Sequence, residues 1–226
     1  MQFTLFSAFI FICRIWLKYL LKYHILPLKE VINVIALDIN QKYYTTSELK
    51  GMGYSYYKIS QMEERRKLHR INRTTYENLS YTGDENDFIN AAAYVPNGVI
   101  CLMSAARYYE LTNFLPDVVN VAIDRKKKVS TLPAWPEIKL FYFDPTRMNT
   151  GVIEITEGGD SFRIFNIEKT IVDIIYYRNK IGIEETSEVL RNYLKRQDRQ
   201  IDRLYTYAKI LRCGSIVRTY LEVLIS

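Results

Sequence analysis

Histidine, cysteine and the common catalytic signatures are what this sequence has least of. Its 226 residues include two histidines, His24 and His69, and three cysteines, Cys13, Cys101 and Cys213. One histidine lies in an unusual N-terminal stretch and the other in a basic hairpin, so neither has an evident acid–base partner. The cysteines sit singly in apolar stretches, at none of the short spacings that a zinc knuckle needs. They read as buried reduced thiols, and an odd number without a framework fits a reducing, cytoplasmic compartment. There is no phosphate-binding P-loop, no paired-histidine zinc motif and no dinucleotide fingerprint. We therefore expect no catalytic residue, no cofactor, no metal and no small-molecule substrate. The chain reads as a binding protein rather than an enzyme. The enzyme reading would rest on Asp160 or Asp173, and Gly158, Gly159 and Asp160 read better as a hairpin turn.

A long hydrophobic run is missing too. Phe3 to Cys13 is almost continuously apolar and is followed by Arg14, Lys18 and Lys22 at four-residue spacing, on one helical face. This is roughly half of the 20 residues that a membrane span requires. The charge follows the apolar run instead of preceding it, which also argues against a secretory signal. Residues 1–28 are thus a hydrophobic and basic leader with three readings: an amphipathic helix on a membrane or partner, a helix packed on the rest of the protein, or a stretch upstream of the natural start.

The signature of disorder is absent. Hydrophobic residues make up 48% and charged residues 25%, enough to bury a core. The 19 tyrosines recur at helical or strand spacing and read as core or boundary residues. A formal net charge of +6 favours an acidic partner such as nucleic acid, an anionic membrane surface or an acidic protein.

The order of elements narrows that choice. Val31, Ile32, Ile35 and Ala36 fall at helical spacing, Tyr43 to Thr45 suits a strand, and Thr46 or Ser47 caps a second helix. Gly51 and Gly53 then form a turn, and Ser55 caps a third helix to about Lys67 with Ile59 and Met62 inward. Leu68 to Leu79 suits a hairpin. Residues 29–80 therefore read as a winged helix-turn-helix. On its third helix Ser55, Tyr56, Tyr57, Lys58 and Gln61 are the expected DNA-facing residues, the last four aimed at base edges. Arg65, Arg66, Lys67, Arg70 and Arg73 are placed to meet phosphates.

The polar stretch Tyr81 to Asp87 reads as a domain boundary. Beyond it, residues 81–226 read as two helices, four strands and a closing set of helices. The fold class expected for the whole chain is α+β: a winged helix-turn-helix, then a mixed domain ending in a helical bundle. In the helix after Phe165, Asn166 is the cap, and Ile167, Ile171, Ile174 and Ile175 form the inner face. Lys169, Asp173 and Arg178 project elsewhere, which reads first as a solvated face with ion pairs and second as a polar set that binds a partner or fixes the structure.

Four segments carry a resemblance: Tyr44 to Tyr57, the serine–alanine segment Gly98 to Thr112, Phe165 to Gly182, and the closing helices with Leu204, Tyr207, Ala208 and Tyr220 to Glu222. Together they resemble the AbiEi family of antitoxins, over about Lys29 to the C-terminus. The resemblance implies an antitoxin of a type IV toxin–antitoxin pair linked to abortive phage infection. It would counter a nucleotidyltransferase-like toxin, directly or indirectly, and repress its own operon by binding inverted repeats in operator DNA. The family's C-terminal motif positions fall on Ser104, Glu168, Lys169, Thr170, Asp173 and Arg178. The hydrophobic leader departs from the family pattern. It leaves as alternative a membrane-associated winged-helix regulator without antitoxin activity, although the apolar run is too short for a membrane span and a membrane partner is not expected.

Overall fold

Two β-sheets and a set of helices give an α+β fold in the computed structural model, which describes residues 37–113, 117–129, 131–157 and 159–225. The leader, Cys13, His24, the helix expected over Val31 to Ala36, and Gly158 lie outside the described residues. Ile39–Ser226 is one compact unit.

The first sheet is antiparallel. Tyr43–Thr45 (β1), Leu68–Arg70 (β2) and Thr75–Asn78 (β3) run in the order β1-β3-β2, with Tyr44 opposite Tyr76 and His69 opposite Glu77. Thr46–Gly51 (α1) and Tyr56–Glu64 (α2) fill the chain between β1 and β2. The cap of α1 is Thr45, one residue earlier than expected. Its side chain accepts from the Glu48 N–H while Glu48 reaches back to the Thr45 N–H, a closed capping box. The helix stops at Gly53, whose φ of +86° permits the Tyr54 N–H to return to the Leu49 carbonyl. Ser55 caps α2 by accepting from the Lys58 N–H. Tyr44, Leu49, Ile59 and Leu68 are buried at 2% exposure or less, and each aliphatic side chain so buried contributes about 1.5–3 kcal/mol.

The second sheet is mixed. Its order is β6-β5-β4-β8-β7, from Val99–Ile100 (β4), Val118–Asp124 (β5), Glu137–Phe143 (β6), Val152–Glu157 (β7) and Asp160–Phe165 (β8). β5 pairs parallel with β6 and β4 parallel with β8, while β4–β5 and β7–β8 are antiparallel. The helices are Asp87–Tyr94 (α3), Leu102–Tyr108 (α4), Pro145–Asn149 (α5), Ile167–Tyr176 (α6), Arg178–Ile181 (α7), Ile183–Lys195 (α8), Ile201–Ile210 (α9) and Gly214–Ile225 (α10).

The period of two along these strands divides the interior into two cores. Ile100, Val119, Val121, Ile123, Ile138, Phe162 and Ile164 face a core shared with α3 and with Tyr43 and Ile71. Val99, Ala122, Phe143 and Phe165 face the other, which holds α6 and the buried sides of α8, α9 and α10. Cys101 and Cys213 belong to this second core as free thiols, and burial pushes both above the usual cysteine range.

Tyr81 to Asn86 carries neither helix nor strand, yet the segments on either side of it are bonded together. The Asp160 carboxylate accepts from the backbone N–H groups of Lys42 at 2.6 Å and Tyr43 at 3.0 Å. Lys42 Nζ donates to Glu85, and Asn90 Oδ1 accepts from both Lys42 and the Tyr43 hydroxyl. Asn72, in the β2–β3 loop, donates to the Ala93 carbonyl at 2.8 Å. Asp160, expected in a turn, is thus the first residue of β8 and an anchor for β1.

Candidate functional site

The first candidate surface is α2 with the β2–β3 hairpin. Ile59 turns inward, and the first turn presents Ser55, Tyr56 and Tyr57, the two tyrosines 64% and 73% exposed. Exposed aromatic rings on a helix otherwise anchored by one buried isoleucine are not there for the core. The Tyr57 hydroxyl accepts from Gln61 Nε2 at 2.9 Å, which fixes the two side chains together on adjacent turns. Lys50 lies 4.3 Å from the Tyr56 ring centroid, and Lys58 5.2 Å from that of the buried Tyr54 just before the helix. Met62, expected inward, is only partly buried.

Basic residues continue from the end of α2. Arg65, Arg66 and Lys67 are exposed, and so are Arg70 and Arg73 on the hairpin. The Arg70 guanidinium donates to the Asn72 and Arg73 carbonyls and stacks 5.8 Å from the Tyr76 ring centroid, so it braces the hairpin while remaining at the surface. Residues 41–80 hold eight lysines and arginines against the four acids Glu48, Glu63, Glu64 and Glu77. The fold therefore gathers Ser55, Tyr56, Tyr57, Lys58, Gln61 and the arginines on one short segment. Lys58 and Gln61 are half-buried there, and the others are open.

The second candidate set lies inside the protein. Glu168, Lys169, Thr170 and Asp173 are all buried on α6, Lys169 and Asp173 completely. This corrects the reading of Lys169 and Asp173 as part of a solvated face, because α6 is surrounded on all sides by the sheet, α4, α8, α9 and α10. Asp173 accepts from Lys169 Nζ through one carboxylate oxygen and from Arg147, on α5, through the other. The cations are enclosed by aromatic faces: Lys169 lies 3.9 Å from the Phe165 ring centroid, and the Arg147 guanidinium 4.0 Å from that of Tyr176. Burial holds the Lys169 ammonium below the usual lysine range, against the upward pull of Asp173.

The other motif positions act locally. Glu168 accepts from the Gln200 N–H and the Tyr193 hydroxyl and pairs with Arg203 at 3.7 Å, tying α6 to α8 and α9. Thr170 donates to the Phe165 carbonyl, and Ser104 accepts from the Asn120 N–H at 2.8 Å. Arg178 alone of the six reaches solvent, where it donates to the Ile175 carbonyl. Among the described residues every buried side-chain polar atom has a hydrogen-bond partner, so this interior set is complete by itself. Arg147 completes it from 26 residues before Asp173, at a distance along the chain that no helical or strand spacing announces.

Among the described residues no group of histidine, cysteine, aspartate or glutamate is placed to hold a metal ion, and no helix is long and apolar enough to cross a membrane. Compared with known proteins, the chain matches no protein-family model and no curated relative.

Proposed function

We propose that this protein is a DNA-binding autorepressor and antitoxin of the AbiEi type, with residues 29–80 acting as a winged helix-turn-helix. The observation that carries the DNA reading is the exposed pair Tyr56 and Tyr57 at the start of α2, followed by Arg65 and Arg66 at its end and Arg70 and Arg73 on the hairpin. A helix of this kind enters a major groove with its N-terminal side chains toward the bases, and the arginines then meet phosphates on either side. α1, the Gly53 turn and α2 supply the helix pair, and β2–β3 supplies the wing.

The antitoxin part of the proposal rests on the resemblance carried by Gly98 to Thr112 and Phe165 to Gly182. In this fold those segments form α4, α6 and their connections, so the likeness lies in the residues that build the C-terminal core. A toxin-countering surface would be displayed by this core, because five of the six motif side chains are inside it.

The test of DNA binding is fluorescence anisotropy of the full chain with a duplex from its own promoter and with a scrambled duplex. Tyr57→Ala is expected to shrink the preference for the promoter, whereas Arg65→Ala weakens both duplexes alike and lowers the salt slope by about 0.9. Equal, salt-independent binding of wild type and both variants would refute it. For the antitoxin part, the full chain is expected to restore growth to cells expressing the nucleotidyltransferase-like toxin that the resemblance implies. No rescue from a demonstrably toxic protein would remove that half of the proposal.

A further inference from the structure

The sequence Arg125-Lys126-Lys127-Lys128 follows β5 and plays no part in either candidate site. All four side chains are exposed, and none has a carboxylate within ion-pair range among the described residues. Their backbone, by contrast, is fixed. The Arg125 N–H donates to the Phe143 carbonyl at 2.9 Å, and the Lys126 and Lys127 N–H groups turn back onto Asp124 at 2.8 Å. Arg125, Lys126 and Lys127 are thereby presented from a bonded turn at the end of a core strand, and Lys128 follows directly.

The position of the turn matters more than its charge. Lys127 and Lys128 line a cleft of about 500 Å³ together with Asn72 and Arg73 of the wing and Arg163 of β8, and Asp124 is the one carboxylate in that lining. The wing tip is tied to α3, whose last residue Tyr94 also lines the cleft, by the bond from Asn72 to the Ala93 carbonyl. A duplex that meets the wing arginine therefore passes the mouth of a cleft whose far side is basic. We propose that Arg125–Lys128 is a second phosphate-contacting surface, which extends the DNA track from the wing onto the C-terminal sheet. This rests on the DNA-binding reading given above. Phosphate contacts set register and orientation without reading sequence, so the turn fixes how the C-terminal part lies along the duplex and adds affinity rather than base preference.

The test is anisotropy of the full chain with a duplex of its own promoter and with a scrambled duplex, over a salt series. K127A/K128A is expected to raise Kd on both duplexes by the same factor, on the order of tenfold at physiological salt, and to lower the salt slope by about 0.9 for each phosphate lost. K127R/K128R should bind like wild type, since it keeps the charge. K209A/R212A removes the same charge from α9 and the turn after it, outside the cleft, and should leave the slope unchanged. The four alanine replacements are of exposed side chains, and matching thermal melts will show that the fold survives. A K127A/K128A protein that binds like wild type, or that loses no more than K209A/R212A, overturns the proposal. If wild type binds but only Tyr57→Ala and Arg65→Ala weaken it, the turn is refuted and the DNA reading stands. If wild type binds neither duplex, both fall together.

Discussion

Lys169 and Asp173 are one helical turn apart on α6, both fully buried, and Asp173 is shared with Arg147. Two cations therefore depend on one carboxylate. Removing Asp173 leaves both uncompensated in the interior, whereas removing Lys169 leaves a neutral Arg147–Asp173 pair. Asp173→Ala is expected to cost about 3 to 5 kcal/mol in urea unfolding. Lys169→Met, similar in volume and set among the rings of Phe143 and Phe165, should cost about 1 kcal/mol or less. Equal losses for the two variants would show that the triad is not organised around the aspartate.

Asp160 joins the two sheets by accepting from two backbone N–H groups of the segment leading into β1. Asp160→Ala leaves those donors without their acceptor, at an expected cost of about 1 to 3 kcal/mol. The loss should be local. Hydrogen exchange of the Lys42 and Tyr43 amides will speed up while that of α6 stays slow. Uniform acceleration across both regions would mean that Asp160 stabilises the whole unit rather than this junction.

Much of the fold was legible in the sequence, and what was not has identifiable causes. β5 alternates cleanly along its whole length, and Ser55 and Asn166 cap their helices as their residue types predict. The helix expected to reach Lys67 ends at Glu64, and α4 ends at Tyr108 in the same way. Both helices close with the usual pair of returning N–H bonds, but Arg66 and Glu110 occupy the left-handed position where glycine would have signalled the stop. β4, two residues long, gives no period to detect. The solvated reading of Lys169 and Asp173 failed because the partner that permits their burial, Arg147, comes from α5. That Ser55, Tyr56 and Tyr57 open α2 on its exposed side was legible because it depends on a local cap and a helical period alone.

Alkaline pH is expected to destabilise the protein, chiefly through its buried tyrosines. Burial raises Tyr43, Tyr109 and Tyr193 well above the usual phenol range and Tyr177 to about 12. In the unfolded chain these groups ionise near pH 10. Above that pH the unfolded state holds fewer tyrosine protons than the folded one, so the stability these groups contribute, complete below pH 10, is lost as pH rises through the folded values, by up to about 1.4 kcal/mol per pH unit for each tyrosine; the buried thiols of Cys101 and Cys213, also raised, act in the same direction from about pH 8.5. Lys169 opposes this, since its lowered value makes stability rise with pH up to the usual lysine range, but it is one group against the four tyrosines and the two thiols. Tyr177→Phe keeps the ring stacked 5.6 Å from Phe143 and is expected to flatten the decline. Urea unfolding from about pH 8 to about pH 11 measures the slope; an unchanged slope would place the alkaline loss elsewhere.

Arg66 occupies a left-handed conformation, φ +53°, at the end of α2, where the Arg66 and Lys67 N–H groups return to the Glu63 and Met62 carbonyls. Such a position costs a residue with a Cβ about 1 to 2 kcal/mol, of which glycine gives back part through the unfolded chain. Arg66→Gly is thus expected to stabilise the protein by about 0.5 to 1 kcal/mol and, on the proposed DNA-binding reading, to weaken DNA binding and lower its salt slope by about 0.9. The same strain recurs at Glu110, φ +57°, and Arg212, φ +55°, which supply controls. Arg212→Gly removes an equal charge and relieves an equal strain away from α2, so it should stabilise the protein and leave DNA binding intact. Thermal melts and anisotropy on the same preparations decide the matter. Opposite changes in stability and affinity for Arg66→Gly alone identify an arginine kept for its charge at a glycine position. Stabilisation with unaltered affinity would remove Arg66 from the interface.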